Sequence, residues 1–238
     1  MEKKNHDIKH IQCILTDNND IITDPKQILK EEYNFYQTLY TKPNEEINEE
    51  NLNVFIKNPN IKKLCLESSL LCDENITLKE CALALKAMYN NKAPGSDGFP
   101  AEFYKVFWPN IKEIILQNFQ YAFTSHKLSI EQRRGILSLI PKKGSDLRKL
   151  KSWRPLTLLN TDYKILAKVL ATRLQNVIDE IVAHDQNGYV KNIFIGENIR
   201  TIKDMIEYCN LAKELGILVL IYFEKAFDTV SWSFLLQL

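Results

Sequence analysis

Seven consecutive apolar residues, Ile217–Phe223 (ILVLIYF), limit the folds open to this chain more than any other stretch. Branched aliphatic and aromatic residues favour extended backbone, so the run predicts a β-strand. The strand would end at Glu224 and Lys225, with Asp228 shortly after. A carboxylate behind a strand can ligate a metal, but it is more often a helix cap, and Thr229 after Asp228 suits the cap. Both interpretations stay open on the residues alone.

Helical periodicity dominates the rest of the chain. Helices are predicted over about 25–40, 78–90, 101–123, 162–183 and 198–215, with Gly216 closing the last one. The second begins at a capping box of Thr77 and Glu80. Gly135–Pro141 predicts a short buried strand, and residues 142–155 a basic loop. Residues 1–24 hold only short apolar islands around a turn and predict little regular structure. Helices with isolated strands indicate the α+β class.

Composition places the chain among ordinary globular proteins, with 238 residues of which 45% are hydrophobic. No apolar run approaches the roughly 20 residues that span a bilayer. The amino-terminal MEKKNHDIKH lacks the apolar centre of a signal peptide. We therefore expect an intracellular protein, in the nucleus or cytoplasm, without a membrane partner. The five cysteines form no CxxC pair and no zinc spacing with the four histidines, which predicts reduced thiols.

Positive charge is concentrated in one block. The net charge of the chain is +1, yet residues 133–173 hold eleven Lys or Arg against two Asp, net +9. Such a block predicts either a polyanion partner or a solvated basic face, with equal weight on charge alone. Trp153 would either stack on a base or belong to the core. The candidate nucleotide- and nucleic-acid-binding residues are Lys142, Lys143, Arg148, Lys149, Lys151, Trp153 and Arg154. Lys164, Lys168 and Arg173 are expected to extend the positive strip along the next helix.

Four stretches resemble, in order and spacing, the reverse transcriptase of non-LTR (LINE-type) retrotransposons. They are NNKAPGSDGFPAEFYKVFW, ILSLIPKKGSDLRKLKSWRPLTLLNTDYKILAKVLATRLQNVI, HDQNGYV and LIYFEKAFDTVSWSFL. The segment DPKQILKEEYNFYQTLYTKP resembles the part that precedes the polymerase in those reading frames. The resemblance covers essentially the whole chain.

The resemblance implies an α+β fold with the helix-rich fingers and a partial palm of a right-hand polymerase. The chain would stop before the catalytic hairpin and the thumb. Residues 1–75 would form an upstream segment, helical and partly mobile. Residues 76–238 would form a partial reverse transcriptase domain, with fingers over about 76–215 and the first palm strand over 216–238.

The resemblance also implies roles for individual residues. In the family, a loop of the amino-terminal extension contacts the RNA template, and here it holds Lys92, Gly95, Asp97 and Gly98. Lys142, Lys143 and Arg154 fall where the fingers place cations, with Arg154 against the incoming triphosphate. Phe227 falls at the aromatic gate against a ribose 2′-hydroxyl.

Two departures from the family pattern predict that this chain does not polymerise alone. Tyr222 stands where the family has its first metal-binding aspartate, and a neutral phenol is a poor magnesium ligand. The family's pair of adjacent aspartates would lie beyond Leu238. We expect no intact metal site and no cofactor for this chain, with Asp228 at most a weak contributor. The resemblance implies Mg²⁺ and dNTP for full-length relatives.

Three hypotheses about function follow. The first is a fragment of an RNA-directed DNA polymerase, inactive alone, that binds an RNA template or an RNA–DNA hybrid. The second is a non-enzymatic RNA-binding module. The third is a translated relic without a partner. The sequence does not indicate an oligomeric state.

Overall fold

The computed structural model describes residues 11–16, 19–41, 62–183, 185–188, 194–223 and 226–230, without the side chains of residues 227 and 229. The chain divides into two units: Met1–Glu45 with Ile76–Leu166, and Glu46–Asn75 with Ala167–Leu238. This division differs from the sequence-based boundary between residues 75 and 76. Within residues 1–75, expected to be partly mobile, residues 1–10, 17–18 and 42–61 lie outside the described residues.

The described elements form a mixed helix and strand fold, as predicted. In chain order they are β1 (Ile14–Leu15), β2 (Ile21–Ile22), α1 (Pro25–Tyr40), α2 (Leu66–Asp73), α3 (Leu78–Lys86), α4 (Ala101–Ser125), α5 (Ile130–Arg133), β3 (Gly135–Pro141), a 3₁₀ turn (Leu150–Ser152), β4 (Trp153–Leu159), α6 (Thr161–Ile181), α7 (Gly196–Ala212) and α8 (Ala226–Thr229). In the part of the chain that the structure describes, none of the helices is long and apolar enough for a membrane span.

The amino-terminal part of the first unit is more regular than its sequence predicted. β1 and β2 pair antiparallel, with Ile14 opposite Ile22, and Ile14 is buried. We call residues 11–16 and 19–22 the N-terminal hairpin. α1 follows within its predicted bounds, because the Asp24 side chain accepts a hydrogen bond from the Gln27 amide at 3.0 Å and Pro25 occupies the first turn.

Helices α3 and α4 supply much of the core of the first unit. The predicted capping box is confirmed, because the Thr77 amide donates to the Glu80 carboxylate at 2.9 Å and Thr77 Oγ1 accepts from the Glu80 amide. α3 stops at Lys86, short of the predicted end near residue 90. Its apolar side packs inward through Cys81, Ala84 and Leu85.

Helix α4 runs two residues beyond its predicted end and contains Pro109. Proline removes one helical N–H donor, yet the helix continues on both sides of it. Phe119 is fully buried. The helix ends at His126, whose φ of 52° is the left-handed conformation that closes many helices.

Strands β3 and β4 form a two-stranded antiparallel hairpin. The bounds of β3 match the prediction, but the expected burial is wrong, because Ile136, Leu137 and Ile140 are all exposed. Within the described residues the sheet has no third strand, so each strand has one edge without a strand partner.

In the second unit, two side chains of α6 hold the ends of α2. The Glu180 carboxylate accepts hydrogen bonds from the Cys65 amide, at 3.1 Å, and from the Ser68 hydroxyl. The Ser68 bond is the main cause that lowers the pKa of Glu180. Arg173 donates to the carbonyl oxygens of Cys72 and Asn75, at 3.1 and 3.0 Å, and also to that of Glu74. Arg173 thus caps a helix, which corrects its predicted place in a positive strip.

The last described segments of the second unit contain two corrections. α7 ends at Ala212, and Lys213 with a φ of 54° takes the left-handed position that had been assigned to Gly216. Residues 214–223 have neither helix nor strand, so the predicted strand Ile217–Phe223 is wrong for the described structure. All seven of its side chains are exposed. A strand needs a partner to accept its hydrogen bonds, and none pairs here among the described residues.

Candidate nucleic-acid interface

The β3–β4 hairpin presents the loop that carries most of the predicted cations. We call residues 142–152 the basic loop; Arg154 follows it on β4. The ladder pairs Pro141 with Trp153 and Ile140 with Arg154, and the Lys142 amide continues it by donating to the Ser152 carbonyl at 2.9 Å. The loop therefore begins and ends on hydrogen-bonded backbone.

Two of the cations are engaged by the loop itself. The Lys142 ammonium donates to the carbonyl oxygen of Lys151 at 2.8 Å. The Arg148 guanidinium binds the Asp146 carboxylate through two hydrogen bonds, at 3.0 and 2.9 Å. The hydrogen bond from the Arg148 side chain is the main cause that lowers the pKa of the Asp146 carboxylate to about 2. Lys142 and Arg148 therefore stabilise the conformation of the loop, and their donors are already used within it.

Four cations remain available to a ligand. Their side chains are exposed and form no hydrogen bond or ion pair with the residues that the structure describes. They are Lys143, Lys149, Lys151 and Arg154. Exposed ammonium and guanidinium groups of one sign, with their donors unused, attract phosphates.

The structure places Trp153 in the packed interior. Its side chain is 3% exposed, and its indole N–H donates to the Leu147 carbonyl at 2.8 Å. Of the two predicted alternatives, the core is the one observed, and the buried ring offers no face to a base. The hydrogen bond instead ties the basic loop to the start of β4.

The predicted template loop, residues 92–98, lies at the other end of β4. Gly95 is buried against Asn160, the residue after the strand. Gly98 has a φ of 76°, which glycine adopts readily, and the Asp97 carboxylate accepts from the Phe99 amide at 3.0 Å. These three residues shape the loop. Lys92 is exposed, with its ammonium 6.0 Å from the centre of the Tyr89 ring.

Asn160 is the structural residue that the sequence did not reveal. It is buried, and its Oδ1 accepts from the Asp97 amide at 3.3 Å and from the Ser96 hydroxyl at 3.2 Å. Its Nδ2 donates to the Glu131 carbonyl at 3.1 Å. An asparagine before a helix signals a cap, but no local pattern signals contacts that span 63 residues.

A second buried polar group supports the same region. Gln132 donates to Asn118 at 3.1 Å and to the Asp162 carboxylate at 2.9 Å, so its burial leaves no donor unpaired.

Burial, and then the negative charges of Asp162 and Asp97, raise the pKa of Tyr104. The hydroxyl of Tyr104 therefore stays protonated at physiological pH.

The structure separates the two predicted clusters along one strand. The basic loop meets β4 at Trp153, whereas residues 92–98 meet it beyond Leu159. Six residue steps of extended strand span about 20 Å. One end of the β3–β4 hairpin therefore carries the basic loop, and the other end lies beside the predicted template loop, residues 92–98.

Comparison with known proteins decides the family. The model described as reverse transcriptase (RNA-dependent DNA polymerase) matches residues 140–238, a range that includes the basic loop, β4 and α6. Residues 140–238 belong to the reverse transcriptase family. The resemblance seen in the four motifs is thereby confirmed.

Two transposon proteins are similar to this chain. The "Transposon TX1 uncharacterized 149 kDa protein" of Xenopus laevis is 34% identical over 238 residues, which is 99% of this chain and 18% of that protein. The "Probable RNA-directed DNA polymerase from transposon X-element" of Drosophila melanogaster is 28% identical over 185 residues, 73% of this chain and 20% of that protein. The chain spans about a fifth of the length of each relative.

The reverse transcriptase family implies magnesium, and the described residues near Tyr222 do not fit it. Tyr222 is 90% exposed. Between Gly216 and Val230, Asp228 is the one carboxylate that the structure describes, whereas Glu224 and the Phe227 side chain lie outside the described residues. No group of three His, Cys, Asp or Glu in the described structure could hold a metal. Two magnesium ions need several converging carboxylates.

Proposed function

We propose that this reverse transcriptase segment binds an RNA template or an RNA–DNA hybrid through the basic loop and Arg154, as the fingers of a right-hand polymerase. We further propose that it does not extend a primer by itself. An RNA-dependent DNA polymerase must grip its template, and residues 140–238, which include the basic loop, belong to that family. The observation that carries the proposal is the set of four exposed cations, three on a loop anchored at both ends and Arg154 just after it on β4.

The spacing of the two clusters supports a nucleic acid lying along the hairpin. About 20 Å of β4 separates the basic loop from residues 92–98. In this arrangement Lys92 contacts the backbone at one end, and Lys143 and Arg154 contact it at the other. Phosphate contacts of this kind position a strand without reading its sequence.

The proposed lack of primer extension rests on the position of Tyr222. Nucleotidyl transfer needs carboxylates that hold divalent cations beside the attacking and leaving oxygens. A phenol hydroxyl does not replace a carboxylate in that role. The proposed contact of Arg154 with the triphosphate and the proposed role of Phe227 as the gate, both implied by the family resemblance, do not require the missing carboxylate, so dNTP binding can persist where turnover does not.

RNA binding is tested by the salt dependence of affinity for a short single-stranded RNA. Lys143→Ala/Arg154→Ala removes two phosphate contacts, and each contact contributes about 0.7 to the slope of log K against log salt. The slope should therefore become shallower by about 1.4. Lys203→Ala, at an exposed lysine of α7, is the control and should leave it unchanged. Equal slopes in all three proteins would disprove the proposed surface.

Primer extension is tested separately, with an annealed RNA template, dNTP and Mg²⁺. We expect no incorporation above that of heat-denatured protein. Incorporation that rises with enzyme concentration would overturn this part of the proposal, whatever the result for RNA binding. A full-length relative assayed in parallel shows that the conditions support the reaction.

A non-enzymatic RNA-binding module is the second candidate, favoured by the same anchored hairpin. It differs in one expectation, because such a module has no reason to keep a triphosphate contact. RNA binding that is unaffected by dNTP at millimolar concentration, and by Arg154→Lys, favours the module. Absence of RNA binding at low salt favours a relic without a partner.

A further inference from the structure

One hydrogen bond joins the N-terminal hairpin to the middle of the basic loop. The Leu15 amide donates to the Arg148 carbonyl at 2.8 Å. It is a contact from outside the loop for Arg148, whose side chain, among the described residues, is hydrogen-bonded to Asp146, its near neighbour in the chain. The N-terminal hairpin and the basic loop, which lie far apart in the sequence, are therefore hydrogen-bonded to each other.

Burial shows that the hairpin is packed. Ile14 is 3% exposed, whereas Ile21, on the paired strand, is 59% exposed. The turn between the strands is closed locally, since the Asp20 amide donates to Thr16 Oγ1 at 3.1 Å and the Thr16 amide donates to the Asp20 carbonyl at 3.0 Å. The hairpin thus has one buried side, and the amide of Leu15 is directed at the loop.

The other anchors of the basic loop are internal or lie near its ends. The Lys142 amide joins the two ends of the loop, the Trp153 indole holds Leu147 in its middle, and the Asp146–Arg148 pair shapes the same stretch. Exposed loops with few external contacts open at little free-energy cost. A contact from outside the loop, made at Arg148, limits the conformations of the cations on either side of it.

We propose that the N-terminal hairpin is a positioning element of the nucleic-acid interface: it holds the basic loop in the conformation that presents Lys149 and Lys151. The claim that the N-terminal hairpin aids RNA binding rests on the proposed function. The claim that the hairpin restrains the basic loop does not depend on it. Residues 11–22 then belong to the polymerase fingers and not to a separate upstream segment.

Limited trypsin digestion of the full chain tests the restraint, since the loop offers cleavage after Arg148, Lys149 and Lys151. Ile14→Ser removes the buried side chain, and Ile21→Ser is the matched change at the exposed position. We expect cleavage in the loop to accelerate about tenfold in Ile14→Ser, as for a local opening, and to stay at the native rate in Ile21→Ser. Native-rate cleavage in Ile14→Ser would overturn the proposal.

If Ile14→Ser unfolds the whole chain, amide exchange in the native protein decides instead. The Leu15 amide should exchange at least about tenfold more slowly than an unstructured peptide, because its acceptor belongs to the loop. Exchange at the peptide rate would refute the contact. RNA affinity measured on the same variants separates the two claims. Faster cleavage in Ile14→Ser with unchanged RNA affinity would show that the hairpin restrains the loop but has no role in binding. If the native chain does not bind RNA, the proposed function is rejected, and the restraint is judged by the digestion alone.

Discussion

Gly95 and Asn160 are in such close contact that a side chain on residue 95 has no room. A Cβ built on Gly95 would lie 2.1 Å from the Oδ1 of Asn160 and 2.4 Å from its backbone nitrogen. The same Oδ1 accepts hydrogen bonds from Ser96 and Asp97. The glycine of the predicted template loop is thus required by packing against the end of β4, whatever the loop contacts.

Gly95→Ala should therefore destabilise the protein. Overpacking of this kind costs about 1–3 kcal/mol, since Asn160 must move and lose hydrogen bonds. Urea unfolding followed by circular dichroism measures the loss. Gly188→Ala is the control, because its Cβ would lie 3.7 Å from the nearest atom, the Nε2 of Gln186. Equal unfolding midpoints for the two variants would contradict the contact.

Asp146→Asn should strengthen RNA binding. The substitution removes the one negative charge of the basic loop and releases the Arg148 guanidinium from its partner. One additional phosphate contact would steepen the salt dependence of log K by about 0.7. The control Asp179→Asn changes the net charge equally at an exposed residue of α6. If both variants bind RNA alike, total charge and not the loop explains the effect.

The Asp146–Arg148 pair should be insensitive to pH in the physiological range. The pKa of Asp146 is lowered from 3.8 to about 2, so its stabilising contribution is complete above 3.8 and is lost as the pH falls through about 2. RNA binding by the loop should thus show no Asp146-dependent change between pH 5 and 8. Carboxyl carbon shifts followed by NMR measure this titration directly, and a midpoint near 4 would show that the pair does not form in solution.

The start of α3 was predictable from the sequence because its chemistry is local. Thr77 and Glu80 satisfy amide groups within three residues, so the pattern itself contains the partner. Helix ends were less predictable. α7 closes at Lys213 although Gly216 is the better residue for a left-handed conformation, because glycine is favoured there but not required.

Contacts between distant segments were beyond the reach of sequence patterns. Trp153 and Arg173 both suited nucleic acid by residue type, yet one is buried and the other caps α2. Ile217–Phe223 has strong strand propensity and still forms no strand in the described structure, since propensity does not supply a hydrogen-bonding partner. The family motifs, in contrast, correctly indicated the reverse transcriptase relationship from four short stretches.

Arg173→Ala should destabilise the second unit. The guanidinium donates to three carbonyl oxygens at the end of α2, and its removal leaves them without these donors. Loss of hydrogen bonds from a charged group costs about 1.5–3 kcal/mol. Arg200→Ala is the matched control, because Arg200 is exposed and its pair with Asp204, at 3.9 Å, contributes about 0–1 kcal/mol. Thermal unfolding measures the loss. If the two substitutions lower the unfolding midpoint equally, Arg173 does not stabilise the end of α2.

Residues 217–223 should exchange their amide hydrogens far faster than the helices and strands between residues 75 and 183. Their side chains are exposed, and the described structure gives their amides no strand partner. An unpaired apolar run also pairs readily with other chains, so Leu220→Lys should reduce aggregation. Leu211→Lys, at an exposed leucine of α7, controls for the added charge. Hydrogen exchange by mass spectrometry checks the first point and light scattering the second; strongest protection at 217–223 would mean that these residues form a paired strand in solution.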